Sequence, residues 1–274
     1  MALTVNTNMS AFRAANTLSR TQGALSQTLS RVSSGLRVVH AADDAAGSAV
    51  AMNLATQARS GRQAIRNAND GISVIQTAES ASKEVLSILD RMRELAVQSS
   101  SETLQDGERA YIETEYDELA DEIDRIADST EFNDISLTNG DTTTLTIQVG
   151  IDGSSTSRVD VSLGDLNVAA LGMSAVDLGS AGGAQSAITT IDSAIDDVNS
   201  VRATFGAAQN RLESSVNNMS NYVEALTQAS SQIMDADYAF ETAEMTRLQV
   251  MQQAGVTALA QAKSINASVI GLLN

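Results

Sequence analysis

The sequence predicts a mainly α protein: long helices in coiled-coil packing, one small β-hairpin, and terminal helices that pair once copies assemble. Three observations carry this expectation. Pro is absent from all 274 residues, which suits long unbroken helices, because proline removes a backbone donor and kinks them. Aromatic residues make up 3% of the chain, with no Trp and four Phe, too few rings for a globular core of this length. Apolar residues recur in alternating steps of three and four over most of the chain, the seven-residue period of a coiled-coil seam.

Residues 1 to 33 read as a first helix with a seam at Leu18, Gln22, Leu25, Leu29, Val32 and Leu36. Ser33-Ser34-Gly35 breaks the pattern, and Asp43-Asp44 ahead of Ala45-Ala46 reads as an N-cap, so 34 to 44 is a short connector. A second helix, 45 to 99, carries its later seam on Ala78, Ala81, Val85, Ile88, Met92 and Leu95. At about 1.5 Å per residue it would be roughly 80 Å long. Ser99-Ser100-Ser101 ends it. A third helix, 106 to 129, places Ile112, Tyr116, Leu119, Ile123 and Ile126 on one face, and its other face is acidic.

The period then changes to two. Thr144 to Val149 and Arg158 to Leu163 alternate, and Asp152-Gly153-Ser154-Ser155 supplies the turn of a hairpin. Ile135 to Leu137 is a candidate third strand. A lone hairpin is unstable, so it must lie against the helices. Residues 164 to 185, rich in Gly, Ala and Ser, read as a loop and the place for variation or insertion. The fourth helix, 186 to 233, has the strictest seam: eleven of its fourteen positions, from Ile188 to Ile233, are large apolar residues. Asp235-Ala236-Asp237 offers a cap before the last helix, 238 to 274, whose seam reads Leu248, Met251, Gly255, Ala258, Ala262, Ile265, Val269 and Leu272, with Leu259 beside it.

That last stripe is mostly small residues, so one pairing buries little apolar area and a lone helix of this length is marginal in water. The first helix shares its composition. Residues 1 to 37 and 246 to 274 contain Arg or Lys but no Asp or Glu, and all 34 acidic residues lie between them. The ends are therefore expected to be disordered in the free chain and to fold on assembly. Keeping acid out of them lets many copies crowd together without repulsion.

The net charge of −17 argues against nucleic-acid or anionic-membrane binding, since both need a positive face. Zero Cys excludes disulfides, thiolate metal sites and thiol nucleophiles. Residues 1 to 30 contain no apolar run long enough for a secretory leader or membrane span, so the chain is expected to be cytoplasmic or exported without a cleaved signal. His40 is the sole histidine and cannot build a zinc site or a nucleophile–base pair by itself. Asp43-Asp44 and Asp235/Asp237 read as helix caps, not cation ligands. No metal, cofactor or catalytic site is expected.

Several separated motifs, in order along nearly the whole chain, resemble bacterial flagellin: Val5-Asn6-Thr7-Asn8, Leu29 to Arg37, Asp43 to Gly47, Arg93 to Gln98, Asp235 to Ala239, Gln253-Ala254 and Leu259 to Ala262. His40 and Ala42 depart from the usual polar connector, and Asn266 stands where Pro is common. The resemblance implies a minimal flagellin, with a filament-core helix and connector at 1–44, rod-domain helices at 45–133, a rod-domain hairpin at 134–165, a residual variable loop at 166–185, a rod-domain helix at 186–237 and a second filament-core helix at 238–274. It implies a structural subunit, not an enzyme, secreted into the flagellar filament by type III export. Its implied partners are other copies of itself, an export chaperone at the C-terminal region, and filament cap and hook-junction proteins. It also implies that Arg91, Leu95 and Glu115 match the patch bound by the flagellin-sensing Toll-like receptor. The rival within the same family is a hook–filament junction protein. A hydrolase or adhesin with borrowed ends would need a folded insert that 164 to 185 cannot house, and a cytoplasmic coiled-coil scaffold would not be found in sheared cell appendages.

Overall fold

The computed structural model describes the backbone of residues 7–271 and the side chains of residues 7–264. Its helices are α1 (Met9–Ser34), α2 (Ala45–Ser99), α3 (Asp106–Ser129), α4 (Ala181–Met234) and α5 (Tyr238–Gly271). Between α3 and α4 lie four short strands: β1 (Glu131–Phe132), β2 (Ile135–Ser136), β3 (Thr144–Gln148) and β4 (Arg158–Ser162). The chain divides into two compact units: unit 1 takes residues 1–56 and 225–274, and unit 2 takes 57–224. The division falls inside α2 and α4, not at the helix breaks near 44 and 237.

The expected caps form. Asp44 Oδ1 accepts the Gly47 N–H at 2.8 Å at the start of α2, and Asp237 Oδ1 accepts those of Ala239 and Phe240 at the start of α5. Each meets a backbone donor that the first helical turn leaves without a partner. Asp43 Oδ2 accepts the His40 and Val39 N–H groups, and the His40 bond above all holds its carboxyl below the usual range. At the end of α2 the buried Arg109 guanidinium of α3 donates to the carbonyls of Ser99, Leu104 and Ser101 at 2.7 to 3.0 Å. That cation sits in an acidic stretch of sequence and acts as a helix C-terminal plug.

Unit 2 has two apolar cores. One joins α2, α3 and α4 through Leu89, Met92, Leu95, Ile112, Ile123 and Ile191. Leu89, one position from the half-buried Ile88 of the expected seam, is the residue fully enclosed there. The other gathers Ile75, Phe205 and Leu212 beneath the β3–β4 hairpin, whose Ile147, Val159 and Val161 point inward. The hairpin approaches so closely that a Cβ on Gly71 would lie 2.3 Å from Ile147 Cδ1. None of the fourteen seam positions of α4 is exposed.

Three expectations are corrected. Ile135 and Ser136 do not extend the main hairpin; they pair with Glu131 and Phe132 across Asn133 and Asp134, which take φ of 51° and 62°. Asn and Asp tolerate that left-handed geometry, and two such residues make the turn that suits a tight hairpin. The expected loop has no helix or strand from 164 to 180, but it is a strap packed over the first core: Leu166, Leu171, Met173 and Leu178 are buried. Asp124 Oδ1 accepts the Val168 N–H at 2.8 Å, and Leu178 O accepts the Ser99 hydroxyl at 2.7 Å. With Val168, the Gly, Ala and Ser residues separate five buried anchors. Helix α4 also starts at Ala181, five residues before expectation, because Ser180 accepts the Gly183 N–H on its hydroxyl and the Ala184 N–H on its carbonyl.

Tyr116 of α3 is buried and its hydroxyl has no partner. Burial, with a smaller contribution from Asp117, pushes its pKa from 10.0 to about 12. Since the folded value lies above the unfolded one, this group's contribution is intact below pH 10 and is lost as pH rises towards 12. Tyr116→Phe should therefore keep neutral-pH stability and raise the alkaline unfolding midpoint, checked by circular dichroism from pH 9 to 12.

Candidate assembly interface

The terminal helices pair with each other within unit 1. Three contacts set their register. Asn8 donates from Nδ2 to Ala262 O at 2.9 Å, Leu18 packs on Gly255, and Arg31 meets Glu241 at 3.6 Å. Residue numbers rise along α1 as they fall along α5, so the pair is antiparallel. At Gly255 a Cβ would stand 3.2 Å from Leu18 Cδ1, so a small residue here lets the backbones approach. The Glu241 carboxylate is buried and its Oε2 has no partner. A lone buried charge facing one cation penalises any register that separates them, which suits a specifying role more than a stabilising one.

The shielded stripe of α1 runs Ala11, Ala14, Leu18, Thr21, Leu25, Thr28, Val32, and that of α5 runs Glu241, Met245, Leu248, Gln252, Gly255, Leu259, Ala262. Of the residues expected on the seam, Leu18, Leu25, Val32, Leu248 and Leu259 lie on it. Leu29 does not, at 56% exposed, nor does Met251 at 40%; Gln22 and Ala258 are exposed as well. Within this pair Thr21, Thr28 and Gln252 take the shielded positions next to Gln22, Leu29 and Met251. Thr21 fits a tight seam because its hydroxyl turns back onto the Thr17 carbonyl at 3.0 Å. The heptad spacing of Ala11, Ala14, Leu18 and Leu25 was the available signal. The side chains of Ile265 and Val269, and all of Leu272, lie outside the described residues.

A backbone clasp closes unit 1 where the two connectors meet. Leu36 bridges Asp235, the Arg37 N–H reaches Met234 O at 2.6 Å, and the Ala236 N–H reaches Gly35 O at 3.0 Å. Arg37 Nη2 adds a bond to Ile233 O at 2.6 Å. Gly35 permits the turn by taking φ of 72°. The Ser34–Arg37 and Asp235–Asp237 motifs are thus two halves of one device.

In unit 2, Arg91 and Glu115 are brought together: Nη2 donates to Oε1 at 2.7 Å, and Nη1 donates to Glu94 Oε2 at 3.0 Å. Glu115 first, then Glu94, hold the Arg91 guanidinium above its ordinary range. Leu95 is not brought to that surface. It is 1% exposed, in the core with Met92 and Ile112, because it lies three residues after Met92 and four before Ser99, on the buried face of α2.

These features coincide with one family. A profile described as "Bacterial flagellin N-terminal helical region" matches residues 5–143, and "Bacterial flagellin C-terminal helical region" matches residues 188–273. The chain belongs to the bacterial flagellin family. It is 40% identical over 269 residues to a flagellin of Halalkalibacterium halodurans, covering 98% of this chain and 99% of that one. It is 37% identical over 303 residues to a flagellin of Bacillus subtilis, covering 98% and 99%. The crystal structure of Bacillus cereus flagellin superposes with a TM-score of 0.50 at 31% identity, over 56% of this chain and 88% of that one. As a flagellin, the chain is a structural subunit that self-associates into the extracellular filament of the bacterial flagellum and serves motility. Among the described residues, no helix of this flagellin is long and apolar enough to cross a membrane.

Proposed function

We propose that the antiparallel α1–α5 pair is the element through which copies assemble, and that further copies cover its outward apolar side chains. One observation supports this above the rest. Of the fifteen large apolar side chains exposed among the described residues, ten belong to unit 1, the smaller unit. They include Met9, Phe12 and Leu29 on α1 and Val250, Met251 and Val256 on α5. A free soluble domain seldom leaves so much uncovered. Within one copy Leu18, Leu25, Val32, Leu248 and Leu259 join the pair; Leu29 and Met251 face its neighbours. A self-contact that does not close produces an open helical polymer. Residues 1–44 and 238–274 would form the filament core, 45–133, 134–165 and 186–237 the layer around it, and 166–185 what remains of a variable region. Catalysis has no part in this reading. Amide exchange on monomer and filament tests it: protection of α1 and α5 should rise by orders of magnitude on polymerisation, and ends already protected in the monomer would overturn it.

The finer partners follow from the same assignment. A chaperone would hold 238–274 before export, and cap and hook-junction proteins would meet the ends of the polymer. The Arg91–Glu115 pair, with Leu95 beneath it as support, is the proposed contact for the Toll-like receptor. Arg91→Ala and Glu115→Ala should each weaken receptor signalling by about tenfold, as losing one ion-paired interface contact does; unchanged signalling in a reporter assay would remove the patch.

A further inference from the structure

The chain has nine methionines and no cysteine, so its thioethers are the side chains most open to oxidation by peroxide. Among the described residues three are exposed, Met9 at 57%, Met52 at 64% and Met251 at 40%, and all three belong to unit 1. Met92 and Met173 of unit 2 are buried, while Met219, Met234 and Met245 are half-buried. The exposed thioethers thus fall in the unit that carries most of the uncovered apolar surface. Met251 has a further feature: Arg247, paired with Glu244 through Nε at 2.8 Å, directs Nη1 at the Met251 sulfur at 3.6 Å.

We propose that Met9, Met52 and Met251 are a redox-sensitive brake on assembly, oxidised by hydrogen peroxide in the free chain and shielded in the polymer. The sulfur lone pair attacks one peroxide oxygen; an S–O bond forms as the O–O bond breaks, sulfur loses two electrons, and the second oxygen leaves as hydroxide, which takes the proton from the new S–OH group and departs as water. The product is a polar sulfoxide on a side chain that had been apolar. Covering it with another copy would bury a strong acceptor without a donor, which disfavours joining. This inference rests on the reading that neighbouring copies cover unit 1.

The test treats full-length monomer and sheared filaments with the same dose of hydrogen peroxide, maps sulfoxides by peptide mass spectrometry, and measures seeded elongation. Sulfoxide should form at the three positions in the monomer and be at least several-fold lower in the filament. Oxidised monomer should elongate about tenfold more slowly or worse, a loss of the size expected for one unmet polar group per joining event. The variant Met9→Leu, Met52→Leu, Met251→Leu, nearly conservative in volume, is compared with its own untreated form, and the peroxide dose should no longer slow its elongation. If it elongates poorly, partly oxidised wild-type chain decides instead: sulfoxide must be enriched in copies that seeds leave behind, and equal content in both fractions overturns the proposal. Equal oxidation of monomer and filament would bring down the covered-face reading and the brake together. Protected filaments combined with full-rate elongation of oxidised monomer, or a Leu variant still as sensitive as wild type, would bring down the brake alone.

Discussion

A chain cut after Asp237 should not extend flagellar seeds at all, while its unit 2 still unfolds cooperatively. The cut removes α5 and with it every register contact of α1: Ala262 for Asn8, Gly255 for Leu18, and Glu241 for Arg31. Helix α1, 26 residues long with Thr21 and Thr28 in its stripe, cannot repay its ordering entropy alone. Both cores of unit 2 lie within residues 57–224 and lose nothing. Electron microscopy of seeded reactions reads the first outcome and thermal denaturation the second. Normal filaments from the cut chain would remove the α1–α5 pair from the centre of the assembly account.

Phe205→Ala should have the largest effect on unit 2, lowering its stability by about 3–5 kcal/mol, the usual range for emptying a buried aromatic site. Of the four Phe, only Phe205 is buried; Phe12, Phe132 and Phe240 are exposed. It lies beneath the hairpin with Ile75 and Leu212 and is the one aromatic residue of that core. Urea unfolding followed by circular dichroism checks the value, and a loss under about 1 kcal/mol would mean the hairpin collapses onto α4 without it.

The middle of the chain was legible because its helices bury their seams on large residues. Both α2 and α3 began and ended where Asp43-Asp44, Ser99 to Ser101 and the apolar spacing put them, and no seam position of α4 was misplaced. The ends were harder for a physical reason. A two-helix seam needs only small or self-satisfied side chains, so Thr21, Thr28, Gln252 and Gly255 serve inside while Leu29 and Met251 are left outside. A rule that assigns the largest apolar residues inward then does not separate the seam within one copy from the face left for its neighbours. Leu95 shows the converse: its motif pointed to a surface role, and its position in the helical period put it in the core. The Gly, Ala and Ser content of 164–185 masked Leu166 and Leu178 in the same way, since composition averages over the few positions that decide packing.

The buried strap from 164 to 180 bears on how this protein could carry added sequence. An epitope or affinity tag spliced there would displace Leu166, Met173 and Leu178 and open the first core. The bend at Asp152 to Ser154 is exposed, and nothing lies within 4 Å of where a Gly153 side chain would begin. Peptide display on this scaffold therefore belongs between the strands of the hairpin, where cargo can grow outward without disturbing what lies beneath.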